Sequence, residues 1–279
     1  MNIFNSIVAL HRISKNFKKT IPLLPVLLLF CSCEELITVN LKDERPKVVI
    51  ESFITNEAFP VMVKITKSQD FFNQSGFTPV RKAIVQLEYL SVKEKLIEQA
   101  NGHYVSLATK GIAGMTYSIK VVTGGETFSA SVDLPPPVPI DTAYFQPGLF
   151  QNEGLNVVVE FRDPVKTENY YRVKLYRKGL YAVNEYYLLT DAFSNGDKIV
   201  APIFYRNFVP GDTVVVELLN LERNTWKYFK GLGELIEQGI NSQAPGNPTS
   251  NFSGGALGVF GAYGTSSYKV SIPLKTGTK

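Results

Sequence analysis

The sequence predicts a mostly β protein with two β-sandwich-like domains. The N-terminal domain is immunoglobulin-like, and the C-terminal one carries a docked amphipathic helix. Three observations predict this. Apolar and polar residues alternate with period two over many short runs. Asn101-Gly102, Ala113-Gly114 and Gly124-Gly125 break those runs at the spacing of sandwich turns. One stretch, 226–238, repeats its apolar residues at helical spacing instead.

Residues 1–32 read as a lipoprotein signal peptide. Lys18 and Lys19 form a positive start, 21–30 is a short apolar run, and Ser32 precedes Cys33. The apolar run is half the roughly 20 residues a membrane-spanning helix needs, and Pro22 and Pro25 interrupt it. Cleavage is expected between Ser32 and Cys33, with a lipid on the Cys33 sulfur. Residues 33–47 then form a lipidated, polar spacer.

The immunoglobulin-like unit is expected over 48–134. Its strands are read at 48–55, 61–66, 83–90, 104–108, 115–122 and 127–134, each rich in β-branched residues or alternating in polarity. Residues 135–139 hold four prolines in five positions, which suits a stiff interdomain spacer and no helix or central strand. The β-rich second domain is expected over 140–279. Its strands are read at 155–161, 170–176, 186–189, 199–204, 212–219 and 268–272. The pairs Tyr170-Tyr171 and Tyr186-Tyr187 should place one ring on each face of a strand. The helix runs near 225–238, with Asn224 as its cap and Gly239 as its end. Phe229, Leu232 and Ile236 share one face. Gly231 and Gly233 cost about 1 kcal/mol each relative to alanine, so packing has to hold this helix.

Composition excludes several functions. Cys31 and Cys33 are the only cysteines. With Cys31 removed and Cys33 acylated, no thiol nucleophile, disulfide or cysteine metal site remains. The formal charge is +4, and Arg12, Lys15, Lys18 and Lys19 in the signal account for all of it. The rest balances to zero, which argues against nucleic acid as a partner. His103 is the sole histidine after the signal and sits beside the Asn101-Gly102 turn, so neither a zinc site nor a serine triad is expected. No cofactor is implied.

Carboxylates are the remaining chemistry. Glu160 and Asp163 close a strand, and Asp191 and Asp197 flank the Asn195-Gly196 turn. A glycosidase needs two carboxyls facing one sugar, whereas acids at strand ends ordinarily form turns. The 191–197 run also lacks the third-position ligand of a calcium loop and has Pro202 in place of the closing glutamate. Gly255, Gly258, Gly261 and Gly264 recur every three residues without the Gly-Lys-Ser/Thr of a phosphate loop. They suit a bulged strand or tight loop with close backbone packing. The loop 243–253 before them reads as structural, with a binding loop as the alternative.

Short motifs follow one another along the chain: Cys33-Glu34-Glu35, Val48 through Asn56 (VVIESFITN), Leu134-Pro135-Pro136 and Pro139-Ile140-Asp141. Asn169-Tyr170-Tyr171-Arg172, Tyr228-Phe229, Pro248-Thr249-Ser250-Asn251, Gly255-Ala256-Leu257-Gly258 and Phe260-Gly261-Ala262-Tyr263 complete the series. In order and spacing the chain resembles the DUF4249 family of Bacteroidota outer-membrane lipoproteins. The resemblance implies an outer-membrane or surface location, held by lipid, beside TonB-dependent receptors. It carries over no catalytic residues. The expected function is a non-enzymatic accessory or binding partner of such a receptor. The alternatives are a carboxylate-dependent carbohydrate-active enzyme and a structural adhesion module.

Overall fold

Alternation along each strand decides which side chains face which layer. The computed structural model describes residues 46–57, 60–69, 76–148, 155–165, 167–182, 186–192, 195–204, 208–238 and 246–272. The strands of the first half are β1 (Val48–Thr55), β2 (Met62–Lys67), β3 (Thr78–Pro79), β4 (Ile84–Tyr89), β5 (Val92–Lys95), β6 (Ile97–Glu98), β7 (His103–Val105), β8 (Thr116–Thr123) and β9 (Glu126–Asp133). Those of the second are β10 (Ile140–Pro147), β11 (Leu155–Arg162), β12 (Tyr170–Arg177), β13 (Leu180–Tyr181), β14 (Tyr187–Thr190), β15 (Lys198–Ile203), β16 (Thr213–Leu221) and β17 (Leu257–Ser271). A single α-helix among the described residues, α1 (Arg223–Gln238), lies between β16 and β17. The described residues are therefore mostly β, in several sheets, with one helix. The signal peptide, Ser32, Cys33 and Gly239 lie outside the described residues.

Ten strands form one sheet, in the order β13-β12-β16-β17-β1-β2-β7-β6, with β14 also on β12 and β3 also on β2. The orders β5-β4-β8-β9 and β10-β11-β15 make two smaller sheets. On one face of the large sheet, Ile50, Ile54, Val63 and Ile65 share a core with Val85, Leu87, Ile119 and Val121 of the first small sheet. Farther along, Tyr171, Val173, Leu175 and Val216 share a core with Val157, Val159 and Phe161 of the second. The opposite face carries Phe53, Leu219, Leu221 and Val259 beneath Tyr228, Phe229 and Leu232 of α1. Two sandwiches thus share one sheet, with the helix on its back.

Strand β17 makes that sharing possible. Residues 257–263 pair in parallel with β1, and 263–271 pair antiparallel with β16. The sequence reading places a strand at 268–272 and treats the glycine-rich stretch before it as a bulged strand or tight loop. From Leu257 onward that stretch is regular strand, after a short helical turn at Ser253–Gly255, and Phe252, Ala256, Phe260 and Ala262 fill the core of the first sandwich. Residues 252–262 of the 140–279 unit thus pack in the core of the domain read at 48–134.

The glycines explain how so small a sequence can sit centrally. A Cβ on Gly258, at φ +93°, would lie 2.1 Å from the Ile50 carbonyl oxygen. One on Gly264 would lie 2.5 Å from the backbone of Pro136 and Pro137. The close packing expected of these glycines is present. The proline segment 135–139 is also tied down by side chains. Asn220 Nδ2 donates to the Pro136 carbonyl at 3.0 Å, and Ser266 Oγ to that of Val138 at 2.6 Å. Val138 itself is buried. The segment lies against β16 and β17, which fixes the path from β9 to β10.

Helix α1 begins earlier than its residue pattern suggests. Glu222, not Asn224, accepts the free backbone N–H groups, from Asn224 at 2.8 Å and Thr225 at 3.1 Å. A carboxylate at a helix N-terminus also meets the positive end of the helix dipole. The two helix glycines sit where neighbours come close: Pro248 approaches a Cβ position on Gly231 to 3.3 Å, and Tyr186 that on Gly233 to 3.6 Å.

Glu94 on β5 ties down the following loop. Its carboxylate accepts backbone N–H bonds from Leu107 (2.6 Å), Ala108 (3.0 Å) and Thr109 (3.0 Å), and hydroxyl bonds from Ser106 and Thr109. Burial alone would push this carboxyl up, but the bonds from Thr109, Ala108, Leu107 and Ser106 together bring it down to about 2 from an ordinary 4.5. A depressed carboxyl stabilises the fold above its unfolded value near 4.5, and that contribution is lost as the pH falls toward 2. Glu94→Gln is expected to cost about 1–2 kcal/mol at pH 7, after allowing for solvent screening at this partly exposed site. Near pH 2 the variant and the parent should be equally stable. Urea midpoints at both pH values check this.

Candidate functional site

The back of the large sheet is only partly covered by α1. Strand β12 places Tyr170, Arg172, Lys174 and Tyr176 on this face, because Tyr171, Val173 and Leu175 are committed to the core. The expectation of one ring per face holds. Tyr170 stacks on Trp226 at 4.8 Å, while Tyr171 packs edge-on to Phe161 at 4.8 Å. Tyr186 likewise joins the helix side and Tyr187 the core.

Arg172 is the centre of the site. Its guanidinium lies 4.1 Å from the Tyr186 ring and 4.5 Å from the Phe229 ring, a double cation–π contact. Nη2 donates to the Tyr181 hydroxyl at 3.3 Å. Phe229 stacks on Phe53 at 5.4 Å, and Phe53 in turn meets Tyr263 at 6.1 Å. Next to this aromatic group lies a charged one. Lys174 pairs with Glu217 at 2.9 Å, and Tyr176 donates to Glu217 at 3.1 Å. Tyr181 bridges the two groups, with its ring 5.7 Å from that of Tyr176.

The electrostatics follow from this packing. Burial alone would lower the Lys174 ammonium, but hydrogen bonds with Tyr176 and Glu217 and the Glu217 charge hold it raised. Glu57 is raised by burial and by the charge of Glu217, against the pull of Lys174. Burial also raises the Tyr263 hydroxyl, with Lys174 opposing it. Tyr228 is raised by burial and by the Glu51 carboxylate, to which it donates at 3.1 Å. The arrangement offers ring faces, one guanidinium and one ion pair. That is equipment for binding.

The residues named from sequence go elsewhere. Glu160 points outward, bound to Lys198 at 2.5 Å and the Tyr144 hydroxyl at 3.0 Å. Asp163 is buried, accepting from the Tyr171 hydroxyl and from the Gly196 N–H at 2.9 Å. Asp191 is buried and accepts the Asn169 N–H at 2.9 Å. The Asp197 carbonyl accepts the Asp163 N–H at 3.0 Å. Glu160 and Asp163, one on the outer side of β11 and the other buried just past its end, therefore do not face one sugar. His103 Nδ1 meets the Ala100 carbonyl at 3.2 Å within its own turn. In the 246–253 part of the predicted loop, Asn251 binds both backbone groups of Phe260, at 2.8 and 3.0 Å, and Ser253 Oγ meets Ser129. Groups of three or more metal-ligating side chains are absent among the described residues.

Sequence reasoning quoted Arg172 within a motif but gave it no role. Its strand position was legible as the polar side of an alternating run. Its partners were not, because Tyr186 and Phe229 come from other elements and meet it only through the tertiary fold.

Among solved structures, the chain is similar to the chicken interferon gamma receptor alpha chain. That match has 9% identity and a TM-score of 0.27, over 82% of this chain and 98% of that one. It is also similar to the FN1–FN3 domains of chicken CNTN1, with 14% identity and a TM-score of 0.20, over 79% of this chain and 65% of that one. No curated protein matches it. The family model described as domain of unknown function DUF4249 matches residues 34–269. That match spans every described strand except the last residues of β17 and includes the whole Arg172 cluster. The chain belongs to the DUF4249 family.

Proposed function

We propose that this protein is a non-enzymatic binding module, anchored in the outer membrane by lipid on Cys33, that serves as an accessory to a TonB-dependent receptor. The observation that carries the reading is the run of Lys18-Lys19, an apolar segment and Ser32-Cys33 ahead of the fold. Residues 34–47 would link that anchor to the first strand. An anchor of this type leaves the folded part outside the bilayer, and no helix among the described residues is long and apolar enough to cross a membrane. The site chemistry supports binding over turnover. The carboxylates that could act in catalysis hold turns and ion pairs, and the helix–sheet face gathers ring faces around a guanidinium. Affinity purification of the protein from gently solubilised outer membranes is expected to recover a TonB-dependent barrel. A preparation that stays free of any barrel after crosslinking would contradict the partnership.

A further inference from the structure

Arg172 is only 9% exposed, and its Nε is buried without a hydrogen-bond partner. It forms no ion pair among the described residues. Glu217, on the neighbouring strand opposite Lys174, is already occupied by Lys174 and the Tyr176 hydroxyl. A guanidinium removed from water without a counter-charge is costly, and ring stacking offsets only part of that cost. Its planar fork matches a carboxylate through two parallel hydrogen bonds. The rings beside it are not fully covered: Tyr181 is 38% exposed and stands 5.7 Å from Tyr176. Such rings pack against the C–H face of a sugar or a similar flat body. The Lys174–Glu217 pair next to them suits hydroxyl groups.

We propose that Arg172 receives the carboxylate of a small ring-bearing acid, of the carboxylated-sugar class, whose ring packs on Tyr181 and Tyr176. The missing counter-charge selects an acid over a neutral sugar. The ring faces select an organic body over a bare anion. The proposal stands apart from the receptor partnership, because it concerns a ligand that the purified protein would bind by itself.

Trp226 is the only tryptophan and reports on this face. It stacks on Tyr170, two residues before Arg172 on the same side of β12, and lies one helical turn before Phe229. The test titrates the purified full chain in detergent with sodium glucuronate, glucose and inorganic phosphate, reading Trp226 fluorescence. Glucuronate is expected to give a saturable change, with glucose and phosphate at least tenfold weaker. Arg172→Lys keeps the charge but loses the fork, and should weaken glucuronate binding at least tenfold. Tyr181→Ala removes an exposed ring, and should weaken it several-fold with an unchanged circular dichroism spectrum. If Arg172→Lys does not fold, Tyr181→Ala decides the matter alone. The proposal is overturned by no saturable response to glucuronate, by an equal response to glucose or phosphate, or by folded variants that bind as the parent does. None of these outcomes bears on whether a receptor barrel is recovered.

Discussion

Replacing Gly264 with alanine is expected to lower the unfolding free energy by about 3 kcal/mol or more, a large effect for one methyl group. The added Cβ would sit 2.5 Å from the backbone of Pro136 and Pro137 and 2.6 Å from the Pro135 carbonyl oxygen. These are backbone atoms of a proline run, so no side chain can rotate away. Either β17 or the proline segment has to move. Moving the segment breaks the Asn220–Pro136 and Ser266–Val138 hydrogen bonds and uncovers Val138. Because β17 joins both sandwiches, the loss should be felt in both. Denaturant unfolding measures the energy, and hydrogen exchange should show faster amides in β16 and β17. A change below about 0.5 kcal/mol, the size of an ordinary surface substitution, would mean that the proline segment does not press on β17.

Phe229→Ala is the second large effect. The ring is 7% exposed and stacks on Phe53, Tyr186 and the Arg172 guanidinium. Deleting a buried phenylalanine costs about 3–5 kcal/mol. Here the loss falls on a helix that cannot stand alone, because Gly231 and Gly233 weaken it and its stability comes from docking. The expected result is local undocking of α1. Helical circular dichroism should fall, Trp226 emission should shift to the red, and β-sheet signal should largely remain. Global unfolding in step with the helix would show instead that α1 is part of the cooperative core.

Much of the fold was legible because alternation is a local signal. Strand β1 matches its reading at 48–55, and the strands β4, β8, β11, β12 and β16 lie within a residue or two of theirs. Failures arose where alternation was absent or masked. Strand β17 packs side chains against layers on both sides of the sheet, so 257–264 (LGVFGAYG) shows no alternation of apolar and polar residues. Its glycines imitate a loop although they serve close strand packing. Strand β5, a four-residue edge of sequence VKEK, carries too little apolar signal. The helix start was misread because Glu222 precedes the expected cap type and serves as the cap itself.

The site was less legible than the fold. Asn169 through Arg172, Tyr228 and Phe229 were each singled out from the sequence as separate motifs. The structure gives them one purpose by bringing them to the same helix–sheet interface. The glycine-rich motif beside them supplies the room: a Cβ on Gly261 would lie 2.7 Å from the Phe53 ring and 2.9 Å from Thr225 Oγ1. Nothing local in a strand reading YYRVKLYR says that its arginine will lie between rings from two distant segments. The acids, by contrast, were legible as turn residues, and Asp163 and Asp191 serve in that way.

We propose that this surface is held at a membrane through one acylated residue, Cys33. Intact-mass analysis of the protein from membranes tests it most directly, comparing the parent with Cys33→Ser. The parent should begin at Cys33 and carry the mass of a diacylglyceryl group. The variant should retain residues 1–32 and carry no lipid. A parent whose amino terminus lies elsewhere without lipid, or a Cys33→Ser variant that is still acylated, would contradict the account.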